Sequence, residues 1–518
     1  MISSFSVFTT GKNMPAQIEI NPQFKQALEL INNSSKHIFI TGKAGAGKST
    51  LLDYAYRNSR KNMVIIAPTG VAALNVHGQT IHRFFAFPIN VTPEKIANYE
   101  VTPRVKRIYK QLQTLVIDEV SMLRADIFDC IDTFLRIYGP APEQAFGGVQ
   151  LVLVGDLYQL PPVITNQEAP YFAQRYSSPY FFSADAFRHI SLEVIELSKI
   201  YRQKDADFIE LLSRIRNNST TMQDLQILNR QIDRGDNDQD FRITLTTTNQ
   251  MAETFNRQKL AGLSGRPYKS QAVIDGNFQS EYFPTAEVLE LKEGAQVMFL
   301  NNDQKGRWVN GSLGRIEGIK FTEDKIRYLL IRLHDNSKQV EVFPYSWEIY
   351  RFTLAGKEII SDLAGSFTQF PLRLAWAVTI HKSQGQTFDN VCIDIGRGTF
   401  AAGQLYVALS RCTTLQGIHL RTSLSMRNIM CDERICRFMD NYTPPATTAD
   451  KIRRLEIAAQ NRQKLDIIYQ KADGSKSRRV IIPLHIKGAN LLAFCTQRQE
   501  QRSFNLERIC EIKDFVEA

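Results

Sequence analysis

Short apolar runs are spaced along residues 37–195, and each one ends at small, polar or acidic side chains. The clearest runs lie at 37–41, 63–67, 115–117 and 151–154, with helical segments between them. Runs of this length are typical of strands that are buried on both faces of a sheet. The alternation predicts a parallel α/β sheet with helices on both sides, whose ligands lie at the carboxyl ends of the strands.

A second α/β pattern follows, with apolar runs at 241–249, 372–385 and 391–394 and a helical segment at 404–411. Within it, residues 296–367 change to short alternating strands that are broken by turns at 302–306 and 310–311. Period-two alternation between turns predicts a small antiparallel β barrel. The expected units are therefore a first lobe over 20–195, a second lobe over 196–295 and 368–437, and an inserted barrel over 296–367.

The end of the chain has a different pattern. Residues 438–450 have the composition of a linker, and strand-like segments follow at 465–469, 479–484, 491–495 and 502–509. The first two of these segments flank Asp473 and Gly474, a typical turn pair. We expect a small β-rich domain over 451–518, so the fold class is α/β with two parallel-sheet lobes, an inserted barrel and this terminal domain.

Composition narrows the function classes. The chain has 518 residues, 43% of them hydrophobic and 22% charged, with a net charge of +10. Residues 451–518 hold 14 Lys and Arg against 8 Asp and Glu, which is more than half of that excess. A basic balance favours a polyanionic partner. We find no apolar run of membrane-spanning length and no secretion signal, and the seven scattered cysteines are typical of reduced cytosolic thiols.

The segment Gly-Lys-Ala-Gly-Ala-Gly-Lys-Ser at 42–49 carries the most specific chemistry in the chain. It lies between a predicted strand and a predicted helix, the setting in which glycine-rich backbone amides wrap the phosphates of a nucleotide. Lys48 can reach the β- and γ-phosphates, and Ser49 can hold Mg²⁺. The motif predicts binding of a nucleoside triphosphate with Mg²⁺.

Two further strand ends add groups suited to hydrolysis. Asp118 can hold the Mg²⁺ through water, and Glu119 can polarise the attacking water. A kinase would not need the second acid, so the pair favours hydrolysis. Gln159, which follows Asp156, can contact a γ-phosphate, although both side chains could also simply cap a turn.

The second lobe has no phosphate loop, but it offers Arg202 and Arg411. Either arginine alone could be an ordinary surface residue or ion-pair partner. Two lobes with one nucleotide between them describe a motor, in which arginines from the second lobe stabilise the transferring phosphoryl group. We interpret both residues as arginine fingers.

These motifs together resemble superfamily 1 helicases, and more narrowly the Pif family of 5′→3′ DNA helicases, which are related to RecD. The resemblance covers roughly 20–430 and rests on the segments 42–49, 67–75, 78–84, 118–122, 146–150, 155–162, 201–203, 379–386 and 406–411, which follow the family's order. It implies two RecA-like lobes, ATP with Mg²⁺ as cofactors, and an SH3-like identity for the insertion at 296–367. It also implies a small wedge at about 83–110.

The resemblance further implies site residues. The implied nucleotide ligands are Gly42, Gly45, Gly47, Lys48, Ser49, Thr50 and Gly385, with a glutamine ahead of the loop that reads adenine. Phe24 aligns with that glutamine, so we take the neighbouring Gln23 as the candidate. Single-stranded DNA would cross both lobes, and its implied contacts are Pro68, Thr69, Gly70, His82, Arg83, Phe84, Thr246, Asn249, His381 and Lys382. For either histidine alone, a hydrogen-bonded loop residue is the alternative.

The terminal β domain resembles the WYL domain, an SH3-like module that binds nucleic acid or nucleotide ligands in bacterial regulators. Its closing pattern at 502–509 is kept, but residues 489–491 replace the Trp-Tyr-Leu triplet. Two interpretations stay open. The domain makes accessory DNA contacts through Arg478, Arg479, Arg502 and Arg508, or it is a basic β module that only stabilises the chain.

The sequence therefore predicts a DNA-dependent ATPase that moves 5′→3′ on single-stranded DNA and separates duplex, forked or G-quadruplex DNA in replication, recombination or repair. We expect a monomeric motor in the cytoplasm or nucleoid, without a membrane partner. One alternative is a nucleotide kinase or switch GTPase, which needs a single α/β domain. Another is a DNA-binding regulator in which ATP acts only as a switch.

Overall fold

The computed structural model describes residues 20–514, except 77, 89–90, 166–167, 204, 234–240, 324–326, 335, 397, 400, 443–447 and 472–474. The first lobe is built on six parallel strands in the order β3-β2-β4-β5-β1-β6. The strands are β1 (His37–Gly42), β2 (Met63–Ala67), β3 (Gln79–Thr80), β4 (Thr114–Ile117), β5 (Gln150–Val154) and β6 (Leu192–Leu197). Strands β2, β4 and β5 are buried throughout, which confirms the prediction from their apolar runs.

Helices cover both faces of this sheet. They are α1 (Pro22–Asn33), α2 (Lys48–Asn58), α3 (Gly70–Asn75), α4 (Ile81–Phe85), α5 (Pro93–Ile96), α6 (Pro103–Gln111), α7 (Ala125–Tyr138) and α8 (Ala169–Arg175). The predicted wedge at about 83–110 corresponds to the end of α4, to α5 and to most of α6.

Helix α7 is almost entirely buried, although it carries several carboxylates. Asp129 accepts hydrogen bonds from the Tyr176 hydroxyl at 2.9 Å and from the amide of Ala186 at 2.8 Å. Asp132 accepts one from the amide of Phe146 at 2.6 Å. Buried polar groups are tolerated when they are paired in this way. The acids therefore fix the loops that flank β5 and β6 to the helix.

The second lobe has a smaller parallel sheet in the order β18-β7-β19-β20. Its strands are β7 (Ile243–Thr246), β18 (Ala377–Thr379), β19 (Val391–Asp394) and β20 (Ile418–Leu420), and its helices are α9 (Ala206–Arg216), α10 (Met222–Asn229), α11 (Asn249–Gly262), α12 (Gln404–Leu409) and α13 (Glu433–Asp440). A kinase or switch GTPase with one α/β domain does not account for this second sheet.

Antiparallel strands interrupt the second lobe between α11 and β18. They form sheets in the orders β14-β13-β12-β11-β17, β15-β16-β9 and β10-β8. The strands are β8 (Tyr268–Gln271), β9 (Val273–Gly276), β10 (Val288–Leu291), β11 (Gln296–Phe299), β12 (Leu313–Phe321), β13 (Arg327–Leu333), β14 (Gln339–Val342), β15 (Tyr345–Ala355), β16 (Glu358–Gln369) and β17 (Leu372–Leu374).

The antiparallel region is thus longer at both ends than the predicted 296–367. Strands β8 and β9 are mostly exposed and lack an apolar face, so the sequence pattern did not reveal them. The return of the chain to the lobe is pinned by one side chain of α11. Asn256 donates to the carbonyl of Ala377 at 2.7 Å and accepts from its amide at 2.8 Å.

The long hairpin formed by β15 and β16 reaches back to the first lobe. Asn62 donates to the carbonyl of Lys357 at 3.0 Å and accepts from the amide of Ile359 at 3.2 Å. The ring of Phe352 packs edge-on against that of Phe84, with 5.7 Å between centroids. These polar and apolar contacts fix the hairpin to the edge of the first sheet.

In the described residues of the terminal domain, the α-helix α14 (Thr448–Gln460) precedes five antiparallel strands in the order β24-β23-β22-β21-β25. They are β21 (Leu465–Gln470), β22 (Lys476–Lys487), β23 (Asn490–Cys495), β24 (Glu500–Asn505) and β25 (Ile509–Asp514). The predicted linker over 438–450 was too long, because α13 ends at Asp440 and α14 begins at Thr448. The predicted turn at Asp473 and Gly474 lies outside the described residues.

Helix α13 of the second lobe contacts both the first lobe and the terminal domain. Phe438 stacks on Phe182 of the first lobe, with 4.3 Å between centroids and 10° between planes. Asp432, which caps α13, accepts from the Tyr180 hydroxyl at 3.0 Å. At the other end, Arg454 of α14 donates to the carbonyl of Asp440. Across the described parts of the chain, no helix is both long and apolar enough to cross a membrane.

Candidate nucleotide site and nucleic-acid interface

The phosphate loop connects β1 to α2, and its backbone requires glycine. Gly45 and Gly47 have φ of +80° and +87°, a region that side chains with a Cβ rarely adopt. A Cβ on Gly45 would lie 2.5 Å from the Cβ of Arg202, so that position also needs glycine for space. The Lys48 amine donates to the carbonyl of Gly42 at 2.7 Å and to that of Lys43 at 3.2 Å. The loop is therefore folded around its lysine.

The two predicted acids follow β4 directly. The amide of Glu119 donates to Asp118 at 2.9 Å, and Glu119 has a φ of +49° that turns the chain sharply. Burial, reinforced by the Glu119 charge, raises the pKa of Asp118 to about 7. Burial also raises the pKa of Glu119, which Lys48 and Arg411 partly offset.

Burial lowers the pKa of Lys48, and the nearby acids oppose that shift. Buried carboxylates are stabilised in their charged form by a nearby cation, and a buried lysine is stabilised by a nearby anion. A metal cation bound together with an anionic group would serve both. With the Ser49 hydroxyl at the start of α2, Asp118 has the oxygen chemistry that Mg²⁺ prefers. These residues therefore fit a magnesium–nucleotide complex.

Asp156 follows β5 and is completely buried. It pairs with Arg216 of α9 at 3.1 Å, and it accepts from the Gln159 amide group at 3.4 Å and from the Tyr406 hydroxyl at 3.3 Å. It also accepts from the amide of Tyr158, so the turn-capping interpretation is confirmed for Asp156. The same carboxylate also accepts from the Gln159 side chain, so the two predicted residues lie together.

Both predicted arginines lie at the junction between the lobes, where Arg202 is partly exposed and Arg411 is buried. Arg202 donates to the carbonyls of Ser410 and Gly385 at 3.2 and 3.1 Å. Arg411 is 1% exposed and donates to the carbonyl of Val407 at 3.0 Å. Burial lowers the pKa of Arg202 to about 10 and, with repulsion from Arg202, that of Arg411 to about 9. Neither arginine has a carboxylate within ion-pair distance among the described residues, which suits guanidinium groups that receive phosphate.

Gln23 lies in the first turn of α1. Its amide donates to the Ser198 hydroxyl, just after β6, at 3.1 Å. The adjacent Phe24 is 5% exposed and packs edge-on against Tyr54 of α2. The aligned position is thus part of the hydrophobic core, and Gln23 stays the candidate for reading the base.

The implied DNA contacts divide into exposed and buried positions. Thr69 caps α3, Asn249 begins α11 and is exposed, and Lys382 is exposed after β18. Pro68 and Gly70 flank Thr69, and His381 precedes Lys382. His82 and Arg83 lie in α4. Partial desolvation lowers the pKa of both His381 and the otherwise exposed Lys382, and the charge of Arg373 lowers that of Lys382 further.

Two of the implied DNA contacts need correction. Phe84 is 7% exposed and packs against Phe85, Tyr109 and Phe352, so its ring is not available for base stacking in this structure. Thr246 is 2% exposed, and its hydroxyl donates to the carbonyl of Thr248. An aromatic or hydroxyl side chain in a DNA-binding motif can serve the core instead, and sequence alone does not separate the two uses.

The motif-based reading missed two residues of the junction, Tyr406 and Arg216. Tyr406 lies within the helical motif at 404–411, where only Arg411 was assigned a role. Arg216 lies in α9, outside every motif. A basic residue among the apolar positions of an amphipathic helix was its only signal, and such a residue is usually exposed.

Comparison with known proteins places the chain. A PIF1-like helicase model matches residues 19–226, a UvrD-like helicase C-terminal domain model matches 374–416, and a WYL domain model matches 450–514. ATP-dependent DNA helicase Pif1 of Bdellovibrio bacteriovorus is 32% identical over 436 residues, which cover 82% of this chain and 93% of that protein. The chain belongs to the Pif1 helicase family.

Solved Pif1 structures agree with this assignment. Unliganded Pif1 from Bacteroides sp. has a TM-score of 0.75 at 36% identity, covering 82% of this chain and 97% of its own, and the same protein in complex with ADP-AlF4 has the same values. Bacteroides Pif1 bound to single-stranded DNA has a TM-score of 0.59 at 36% identity, with 82% and 96% covered. The two-lobed α/β fold with antiparallel additions is therefore that of Pif1 helicases.

Proposed function

We propose that this protein is an ATP-dependent DNA helicase that moves 5′→3′ along single-stranded DNA. The observation that supports this most strongly is the junction between the lobes. There, the phosphate loop and the acids of the first lobe meet the buried Arg411 of the second lobe and the partly exposed Arg202, which packs against Gly45. The relative from Bdellovibrio bacteriovorus, whose alignment covers 82% of this chain, is named an ATP-dependent DNA helicase.

The residues of the first lobe bind and activate. Ser49 and Asp118 would hold Mg²⁺, which neutralises charge on the phosphates. Lys48 lies in the buried loop, where a phosphate would replace the carbonyls as its partner. Glu119 has a raised pKa, which gives its carboxylate the basicity to orient a water molecule and take its proton. Gln159 donates to Asp156, whose other partner Tyr406 contacts the phosphate loop, and Gln159 would contact the γ-phosphate.

Arg202 and Arg411 would complete the site from the other side. Because both are desolvated, each gains more from an approaching phosphate than a solvated arginine would. Contact with the transferring phosphoryl group would make hydrolysis depend on the arrangement of the lobes. Changes of that arrangement during the ATP cycle would move the DNA.

The DNA path is proposed over the carboxyl ends of the two parallel sheets. Thr69 and His82 would contact phosphates from the first lobe, and Asn249 and Lys382 from the second. The direction of movement rests on family membership. Duplexes, forks and G-quadruplexes are the proposed structured substrates, with the motor acting as a monomer in the cytoplasm or nucleoid.

The terminal domain keeps both of its interpretations. Arg478 pairs with Asp466, and Arg502 lies 3.5 Å from Glu500, so these two cations are partly compensated. Arg479 and Arg508 complete the basic set. Accessory DNA contacts and a purely stabilising role make different predictions for a variant in which all four are neutral, because only the first lowers the affinity for DNA.

The test uses two partial duplexes, one with a 5′ single-stranded tail and one with a 3′ tail. ATP hydrolysis and strand separation are measured together. We expect unwinding of the 5′-tailed duplex alone, with hydrolysis stimulated by either DNA. Unwinding from the 3′ tail would overturn the polarity, and hydrolysis that ignores DNA would overturn the motor function.

A further inference from the structure

One tyrosine from the second lobe enters the nucleotide site of the first. Tyr406 lies in α12 and is 4% exposed. Its hydroxyl accepts a hydrogen bond from the amide of Ala44, in the phosphate loop, at 3.2 Å. The same hydroxyl donates to Asp156 at 3.3 Å. A single oxygen atom thus joins the phosphate loop to the carboxylate that holds Gln159.

The start of α12 is pressed against the same segment of the first lobe. Gly403 caps the helix with a φ of +72°, and a Cβ there would lie 2.3 Å from the carbonyl oxygens of Tyr158 and Gln159. Tyr406 follows one helical turn later, on the same side. Helix α12 therefore contacts residues 156–159 at two successive turns, once through the backbone of Gly403 and once through the Tyr406 hydroxyl.

Arg216, a further partner of Asp156, restrains its carboxylate. Arg216 is 5% exposed, pairs with Asp156 and lies over the Tyr158 ring, 4.3 Å from its centroid. With Arg216 on one side and the Tyr406 hydroxyl on the other, the Asp156 carboxylate has little freedom to rotate. The backbone amide of Tyr158 restrains it further, so the contact between Asp156 and the Gln159 amide group has a defined orientation.

We propose that Tyr406 is a positioning residue for ATP hydrolysis, which acts by coupling the phosphate loop to Gln159 through Asp156. This inference rests on the proposed ATPase function. It makes γ-phosphate contact depend on the second lobe through a neutral hydroxyl, in addition to the two arginines. Tyr406 itself would not touch the nucleotide's reacting atoms.

The test compares Tyr406→Phe with a matched control, Tyr180→Phe. Both substitutions remove one hydroxyl that donates to a carboxylate of the other lobe, but Tyr180 contacts Asp432, away from the loop. ATP hydrolysis is measured at saturating single-stranded DNA, with kcat expressed per site that binds a fluorescent ADP. That normalisation prevents a partly unfolded preparation from imitating the effect.

We expect Tyr406→Phe to lower kcat about tenfold and leave KM for ATP within about twofold, because the lost interaction serves the transition state. Tyr180→Phe should match the wild type. Combined with Gln159→Ala, the Tyr406→Phe change should add no further loss, because both act through the same side chain. A kcat near the wild-type value, or a full multiplicative loss in the double variant, would overturn the proposal. A wild-type protein without DNA-stimulated hydrolysis would instead overturn the function on which it rests.

Discussion

The two sides of the nucleotide site hold desolvated groups of opposite charge, carboxylates on one side and guanidinium groups on the other. On the first lobe, burial raises the pKa of Asp118 to about 7 and also raises that of Glu119. At the junction with the second lobe, burial lowers the pKa of Arg202 to about 10 and that of Arg411 to about 9. The acids need a cation and the arginines need an anion, and a magnesium triphosphate supplies both. The shifts on both sides therefore favour binding of a magnesium triphosphate, although Lys48 and Arg411 already offset part of the raised pKa of Glu119.

The largest effect is expected from replacing Lys48, the lysine of the first lobe that would bind the triphosphate. Lys48→Ala should abolish hydrolysis, since both ground-state binding and transition-state stabilisation lose their main cation. Affinity for single-stranded DNA, measured by fluorescence anisotropy, should stay within about twofold because the implied DNA contacts lie elsewhere. Loss of DNA binding in this variant would contradict the separation of the two sites.

Removing an arginine from the opposite side should have the next largest effect. We expect Arg411→Ala to lower kcat about 10³-fold, in the range observed for arginine fingers, with little change in KM. Arg411→Lys serves as the control, since it keeps the charge without the fork geometry and should recover part of the rate. A rise in KM by the same factor, with kcat unchanged, would show that Arg411 contributes only to ATP binding.

The raised pKa of Asp118 predicts opposite pH trends without and with ligand. Without nucleotide, the folded state holds a proton that the unfolded state releases near pH 4, so this stabilisation is present below pH 4 and is lost as pH rises towards 7. Mg²⁺ binding needs the carboxylate, so affinity for magnesium–ADP should increase severalfold from pH 6 to 8.

Thermal melts and ADP titrations across this pH range check both trends. Asp118→Asn cannot titrate, so its melting temperature without nucleotide should depend less on pH than that of the wild type. Its ADP affinity should also be flatter. Identical profiles for the two proteins would show that Asp118 does not change its protonation between pH 4 and 8.

The smallest expected effect concerns the base. Gln23→Ala should reduce the preference for ATP over GTP about fivefold, the worth of roughly one hydrogen bond. The ratio of kcat/KM for the two nucleotides measures it. Ser198→Ala, which removes only the partner of Gln23, should change the ratio less. An unchanged ratio in Gln23→Ala would move the reading of adenine to another residue.

Motifs with a fixed spacing were predictable from the sequence because their chemistry dictates local geometry. The phosphate loop needs its glycines, and buried parallel strands need continuous apolar runs, so the lobes and the family could be recognised. The sequence did not predict helix α14, because its start overlaps a stretch with linker composition. It did not predict strands β8 and β9, because their side chains are mostly exposed.

Within the site, the sequence failed where function depends on contacts between distant segments. Phe84 lies in a motif for DNA contact, but a hairpin that folds back from far along the chain covers it. Tyr406 and Arg216 converge on Asp156 from two different helices, and no local pattern announces that meeting. Tertiary packing decided these cases, so residue type and spacing alone could not.

The clamp that Asn256 places on Ala377 has an evolutionary consequence. The chain leaves the second lobe after α11 and re-enters it at β18, and a side chain of the departing helix holds the returning strand by both of its backbone groups. The excursion between these points is closed at its base, so its length hardly affects the parallel sheet. Evolution can therefore lengthen, shorten or replace strands β8 to β17, and so change the substrate, without altering the parallel sheet of the second lobe.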